Sequence, residues 1–338
     1  MPFGQSKLLA ESNVVTPKGG LFIPMHARIS VTDKMDEMQI TWTSKSQDQP
    51  MQFVRYSPAP SSDTCPTTWL FTSTNRSAPT TYTASDMCDR PANTTGQRRY
   101  REVGYFHSVT LTHLQPSTHY CYQFGNDVDG FSTTRVFRSN PKVTKDVGVS
   151  FAAFGDMGVT YSGPVYYDAT TTMSRIRAAI DDFDFLLHFG DISYARGMGF
   201  VWEQFHVMTE PIAQQVPYMV SVGNHEYDHL RGGEKDPSGA TGNGFHPVWG
   251  NYRGDSHGEC SVPLFKRFRV PASGHSIYWY SFDYGNVHVV QISSEHDYTV
   301  GSVQYRWLET DLEAVDRSVT SFIVSGDLTV SMYGCWCV

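Results

Sequence analysis

Three stretches of this chain place a glycine and then a potential metal ligand at the end of an apolar run. They are Gly155-Asp156 after VSFAAF, Gly190-Asp191 after FDFLLHF, and Gly223-Asn224 after VPYMVSV. Asp191 follows Asp156 by 35 residues and Asn224 follows Asp191 by 33, one strand-helix-strand unit each time. Parallel strands bring their carboxyl ends to one sheet edge, where open α/β sheets bind ligands, so the three polar groups should converge. A lone Gly-Asp after a strand is an ordinary turn. Three in register are not, with Tyr194 three residues past Asp191 and His225 beside Asn224. Carboxylate oxygens suit hard cations and a phenolate suits Fe(III). A carboxylate shared by two ions makes a two-metal site, which activates water and clamps both oxygens of an in-line displacement. Phosphate ester hydrolysis is the chemistry such a site serves.

The elements that must position these residues begin at about Gly148. The three apolar runs alternate with TTMSRIRAAIDDF and VWEQFHVMTEPIAQQV, both with helical spacing, and strands alternating with helices predict an α/β layer with a parallel sheet over 148–338. The preceding part, 21–139, has a different rhythm of short alternating runs bounded by Gly, Pro, Asn and Asp, which predicts an all-β sandwich. Ile29, Val31, Met38, Ile40 and Trp42 are its candidate inward positions. Leu114-Gln-Pro-Ser-Thr-His-Tyr120 is similar to the tyrosine corner of fibronectin-type sandwiches. A Thr/Ser/Pro-rich insertion from Ser57 to Gln97 reads as a long surface loop, and Arg138 to Val147 as a linker.

Composition narrows the function classes. With 338 residues and 40% hydrophobic content the chain has material for two domains, and its net charge of −8 argues against nucleic acid or an acidic membrane as partner. No apolar run approaches bilayer length, and MPFGQSKLLAES has no signal-peptide pattern. The six cysteines, at 65, 88, 121, 260, 335 and 337, form no CxxC pair, which disfavours a zinc ribbon. A Cys65–Cys88 disulfide and free buried thiols are both open readings. Asn75-Arg-Ser and Asn93-Thr-Thr are glycosylation triplets compatible with secretion.

The motifs GDMG, GDISY and GNHE resemble those of the purple acid phosphatases, within the metallophosphoesterase superfamily, and the Tyr of GDxxY is the feature specific to that family. Gly254 to Pro263 and Ser293 to Tyr298 also look like loops of the family, and the resemblance runs from about Leu21 to Gly326. It implies a fibronectin-III-like sandwich followed by a metallophosphoesterase α/β sandwich. It also implies a secreted or vacuolar location and an acid phosphatase acting on small phosphate monoesters through a metal-bound hydroxide. The implied cofactors are Fe(III) and a divalent ion, Fe, Zn or Mn. Asp156 and Tyr194 would bind the ferric ion, Asp191 would bridge, and Asn224 would bind the divalent ion. His225 would be the catalytic group at the phosphate, with Asn224 and His296 beside it in binding substrate. His229, His246, His257 and His275 lie in Gly- and Pro-rich loops and read as structural or solvated.

The resemblance further implies a Val-x-x-His and a Gly-His-x-His. Here Val324-Ser325-Gly326-Asp327 carries Asp in the His place, and no histidine follows in LTVSMYGCWCV. A truncation or frame change near residue 326 is one expectation, with an incomplete sheet and an unpaired edge. Use of Asp327 as a ligand is another. The corresponding functions are a weakened hydrolase, or an inactive isoform whose sandwich serves as a binding module.

Overall fold

The structure is a computed structural model that describes residues 24–47, 50–60, 64–94, 103–159, 169–240 and 254–327. The expectations for residues 1–23, His246, Cys335 and Cys337 lie outside these residues.

The first part is a two-sheet sandwich. β1 (Met25–Ser30), β2 (Met38–Ser44) and a strand at Tyr105–Leu111, β5, form an antiparallel sheet in the order β1-β2-β5. The facing sheet is built on β3 (Phe53–Pro58) and β6 (His119–Asn126), with β4 (Phe71–Ser73), β7 (Gly130–Phe131) and β8 (Arg135–Arg138) beside them. Period-two alternation puts Ile29, Met38, Ile40 and Trp42 on one inner face against Val54, Tyr122, Phe124 and Phe137 on the other. The Trp42 and Phe124 ring centroids are 5.1 Å apart. Tyr120 makes the expected corner, its hydroxyl accepting from the Gln115 N–H at 2.9 Å. Val31 is buried as expected, but in the core of the second part, against Phe185, Leu187 and Tyr280.

The second part stacks two sheets and a helical layer. β9 (Phe151–Phe154), β10 (Phe185–Phe189) and β11 (Tyr218–Ser221) are parallel, with β10 in the centre. α1 (Ala169–Ala178) and α2 (Gly199–Ala213) lie in the connections and cover one face through Met173, Ile176, Trp202 and Phe205. The other face meets β12 (Tyr280–Tyr284) and β13 (Val287–Ser293) through Phe185, Leu187 and Met219. Burial on both faces explains why β9 to β11 read as continuous apolar runs rather than alternating ones. α3 (Asn224–Tyr227) and α4 (Val262–Arg267) are short helices at the sheet's carboxyl edge and in the loop region beyond it, and α5 (Val303–Ala314) precedes β14 (Ser321–Asp327). β14 runs parallel to β13, and among the described residues it has no other strand partner.

The insertion after β3 lies at the surface through residue 81, as its composition predicts, but not beyond it. Tyr82, Met87, Cys88 and Ala92 are buried with Phe106, Cys260 and Val262, so the segment straps the sandwich to the second part. Both expectations for the cysteines are corrected with it. Cys65 is joined to Cys121, and Cys88 to Cys260 across 172 residues of sequence. Cys65 follows β3, whose neighbour β6 carries Cys121, whereas the strap takes Cys88 away to the 254–261 loop. A buried polar contact ties the two parts at the same seam. Arg267, fully buried, donates to Glu203 at 2.6 Å and to the Tyr82 hydroxyl at 2.9 Å.

Candidate metal centre

Each ligand candidate leaves its strand through a specific backbone device. A side chain on Gly155 would put its Cβ 2.6 Å from the Phe189 carbonyl oxygen, so only glycine lets β9 pass β10 there. Gly190 has φ 68°. Asp156 and Asp191 themselves adopt φ 54° and 49°, and Tyr194 and Arg196 follow at 51° and 52°. Such conformations cost on the order of 1–3 kcal/mol each outside glycine. They persist here because the strand ends and packed loops over-determine them. Gly223, by contrast, is extended at φ −117°. Its turn is made by the helix that follows, where the buried Glu226 carboxylate accepts from the Gly223 N–H at 3.3 Å and from the Ile192 N–H at 2.8 Å. That one carboxylate binds the second and third ligand loops together.

The side chains converge. The Tyr194 hydroxyl lies 2.9 Å from Asp156 Oδ1 and 2.8 Å from Asp191 Oδ2. Asp191 Oδ1 accepts from the His225 N–H at 3.0 Å, and His225 Nε2 stands 3.8 Å from Asp191 Oδ2. The Tyr194 and His225 rings are 4.4 Å apart. Burial, partly offset by His225, raises the Asp191 carboxyl above its ordinary value. Burial and the adjacent Asp191 also raise the Tyr194 phenol, which keeps its proton among three oxygens. A multivalent cation on the same oxygens reverses that preference, because it favours both carboxylates and the phenolate. Asp156, Asp191 and Tyr194 therefore bring oxygens to one point, a donor set that fits a hard cation.

The structure departs from expectation at His296. It is 2% exposed, bonded to Ser293 Oγ at 2.8 Å and packed among Tyr227, Tyr278 and Trp279, rather than standing open on its loop. Burial holds its imidazole well below the ordinary value and hence neutral. The backbone of Asp327 pairs with Ser293 at the carboxyl end of β13. His229 Nδ1 donates to the Tyr227 carbonyl and His275 bonds the Ser238 carbonyl, while His257 stands exposed within electrostatic reach of Arg196 and His225. Ligand atoms of His229, Cys88 and Cys260 cluster, but the two sulfurs are bonded to each other.

Two features were not found by sequence reasoning. Asp228 and Glu295, each 1% exposed, form a paired carboxyl behind α3, with Asp228 pushed up to about 10 by burial and then by Glu295. Nothing in their spacing announces that pair. Asp255 accepts from Asn224 Nδ2 at 3.0 Å. The signal for it was present, since Gly254-Asp255 repeats the Gly-then-ligand pattern.

Comparison with known proteins agrees with this geometry. Residues 24–139 match the purple acid phosphatase N-terminal domain, and residues 149–325, just over half of the chain, match the calcineurin-like phosphoesterase family. The chain is 32% identical over 315 residues to probable inactive purple acid phosphatase 27 of Arabidopsis thaliana, covering 89% of this chain and 47% of that protein. It is also 32% identical over 194 residues to a nucleotide pyrophosphatase/phosphodiesterase of Hordeum vulgare, covering 56% and 49%. The solved structure of purple acid phosphatase PPD1 from yellow lupin (Lupinus luteus) seeds superposes with a TM-score of 0.75 at 31% identity, over 90% of this chain and 50% of that one. The chain thus spans about half the length of the curated relatives it matches. A β-sandwich, a metallophosphoesterase layer after it, and a tyrosine set between two strand-end aspartates together mean that this chain belongs to the purple acid phosphatases, a family dependent on two metal ions.

Proposed function

We propose that the chain is a di-metal phosphoesterase of acid-phosphatase type, hydrolysing small phosphate monoesters. The observation that carries the reading is the convergence of Asp156, Asp191 and Tyr194 on one point, with Asn224 and His225 alongside. Asp156, Tyr194 and Asp191 would hold Fe(III), and Asp191, Asn224 and Asp327 a divalent Fe, Zn or Mn ion. The ions supply an activated water and a clamp for the phosphate oxygens. His225 is placed to hydrogen-bond a phosphate oxygen or hand a proton to the leaving group. Arg196, whose guanidinium lies 5.8 Å from the Tyr194 ring, adds positive charge for an anionic substrate. The exposed Asn75 triplet and two disulfides favour an extracellular or endomembrane location. Among the described residues no helix is long and apolar enough to cross a membrane.

A second reading, a weakly active or inactive member that binds a partner through its sandwich, is favoured by two observations. Asp327 stands where the family resemblance implies histidine, and four similar Arabidopsis proteins are named probable inactive purple acid phosphatases. The test is metal content of the purified protein together with phosphate release from an aryl phosphate at pH 5, for the parent and Asp191→Ala. Two bound ions and turnover, both lost in Asp191→Ala, support the hydrolase. Two bound ions without turnover support the second reading, and absence of metal after reconstitution overturns the metal centre itself.

A further inference from the structure

Asn224 offers a cation only one of its two side-chain ends, because an amide ligates through oxygen and not through its NH2 group. Which end faces the site therefore matters, and the structure contains a group that sets it. Asp255 Oδ2 accepts from Asn224 Nδ2 at 3.0 Å. The backbone carbonyl of the same residue lies 3.2 Å from His225 Nδ1. A carbonyl only accepts, so Nδ1 carries the proton and Nε2 is the ring nitrogen turned toward Asp191. One residue thus orients both members of the Asn224-His225 pair, the amide by its side chain and the imidazole by its main chain.

The loop bearing Asp255 is itself held on both sides. Toward α3, the Ser256 N–H and hydroxyl donate to the Asp228 carbonyl, and the Ser261 N–H donates to the Glu226 carbonyl at 2.6 Å. Toward the strap, the Cys88 N–H donates to the Gly258 carbonyl at 3.0 Å and the Ala92 N–H to the His257 carbonyl at 3.1 Å, beside the Cys88–Cys260 bridge. A side chain on Gly258, at φ 89°, would put its Cβ 2.1 Å from the Asp89 carbonyl oxygen. The strap from the sandwich thereby braces the loop from outside.

We propose that Asp255 is a positioning residue for the candidate metal centre: it turns the Asn224 amide so that Oδ1 is presented to the divalent ion, and it holds His225 with Nε2 toward the phosphate. The inference rests on the metal-centre reading, and its test separates the two. Metal-stripped protein is titrated with Mn2+ by calorimetry, and the Asn224 side-chain NH2 resonances are recorded in Asn-15N-labelled protein without metal. Asp255→Ala should weaken Mn2+ binding about 10–100-fold, the usual cost of losing an outer partner of a ligand. It should also move the Asn224 NH2 resonances toward the positions of a solvent-exposed amide and speed their exchange with water. Asp255→Asn keeps an oxygen acceptor in place and should restore most of both. Asp255→Ser, polar but too short to reach the amide, replaces the alanine variant if that one does not fold. Unchanged Mn2+ affinity in Asp255→Ala overturns the proposal. So does an Asp255→Asn variant as weak as Asp255→Ala, which would assign the carboxylate's charge to ligation instead. If the parent binds no Mn2+, the metal-centre reading fails, and the NH2 resonances alone decide whether Asp255 orients Asn224.

Discussion

Glu259 should make this protein lose stability as the pH rises from 5 to 7. Its carboxylate is 2% exposed and accepts from the Gly197 N–H at 2.8 Å and from Trp202 Nε1 at 3.1 Å. Burial pushes the carboxyl up from its ordinary 4.5 to about 7, and those two donors limit the rise without cancelling it. Between these values the folded state holds the proton while the unfolded state has released it. The folded chain then binds more protons, and stability falls with increasing pH across that window. At about 1.4 kcal/mol per pH unit the whole window is worth on the order of 3 kcal/mol. Glu203 does not blur the comparison. Burial raises its carboxyl, but Arg267 and His26 more than offset that, so its contribution is lost only below the ordinary value near 4.5. The assay is urea denaturation at pH 5, 6, 7 and 7.5 for the parent and for Glu259→Gln, which keeps the shape and cannot ionise. The parent should lose about 2–3 kcal/mol relative to the variant between pH 5 and 7, with little further change above. Equal slopes for the two proteins, or a parent that gains stability relative to the variant, would refute the reasoning.

Other expectations follow from the same structure. His288 sits between Asp283 at 2.7 Å and Asp311 at 2.9 Å; burial opposes its charge, but those bonds raise it to about 9. Its stabilisation should be complete below pH 6.5 and vanish as the pH passes 9, and His288→Gln should flatten the alkaline limb of a thermal-melt pH profile. The paired variant Cys88→Ser/Cys260→Ser removes a bridge across 172 residues and should lower stability by about 2–5 kcal/mol, read from denaturant midpoints under non-reducing conditions. Trp42→Ala, at a fully buried site against Phe124, should cost about 3–5 kcal/mol by equilibrium denaturation of the sandwich.

What the sequence by itself determined is whatever a few consecutive residues encode. The apolar runs ending in Gly155-Asp156, Gly190-Asp191 and Gly223-Asn224 were legible because a buried parallel strand, a close backbone approach and a polar strand end are all local. Trp42 and Tyr120 were legible for the same reason, through period-two alternation and corner chemistry. What only the tertiary structure decided depends on partners far along the chain. His296 reads from the sequence as standing open on its loop, and only packing of Tyr227, Tyr278 and Trp279 around it shows that it is buried. Ser57 to Gln97 has loop composition, yet Tyr82 and Cys88 find buried partners in Arg267 and Cys260 because another domain lies against them. Asp255 orients Asn224 only because Ser256 and Ser261, bonded to α3, fold its loop over that helix. Propensity and pattern are short-ranged, whereas disulfide pairing, enclosure and the turning of a ligand amide are set by three-dimensional neighbours, and no local rule contains those.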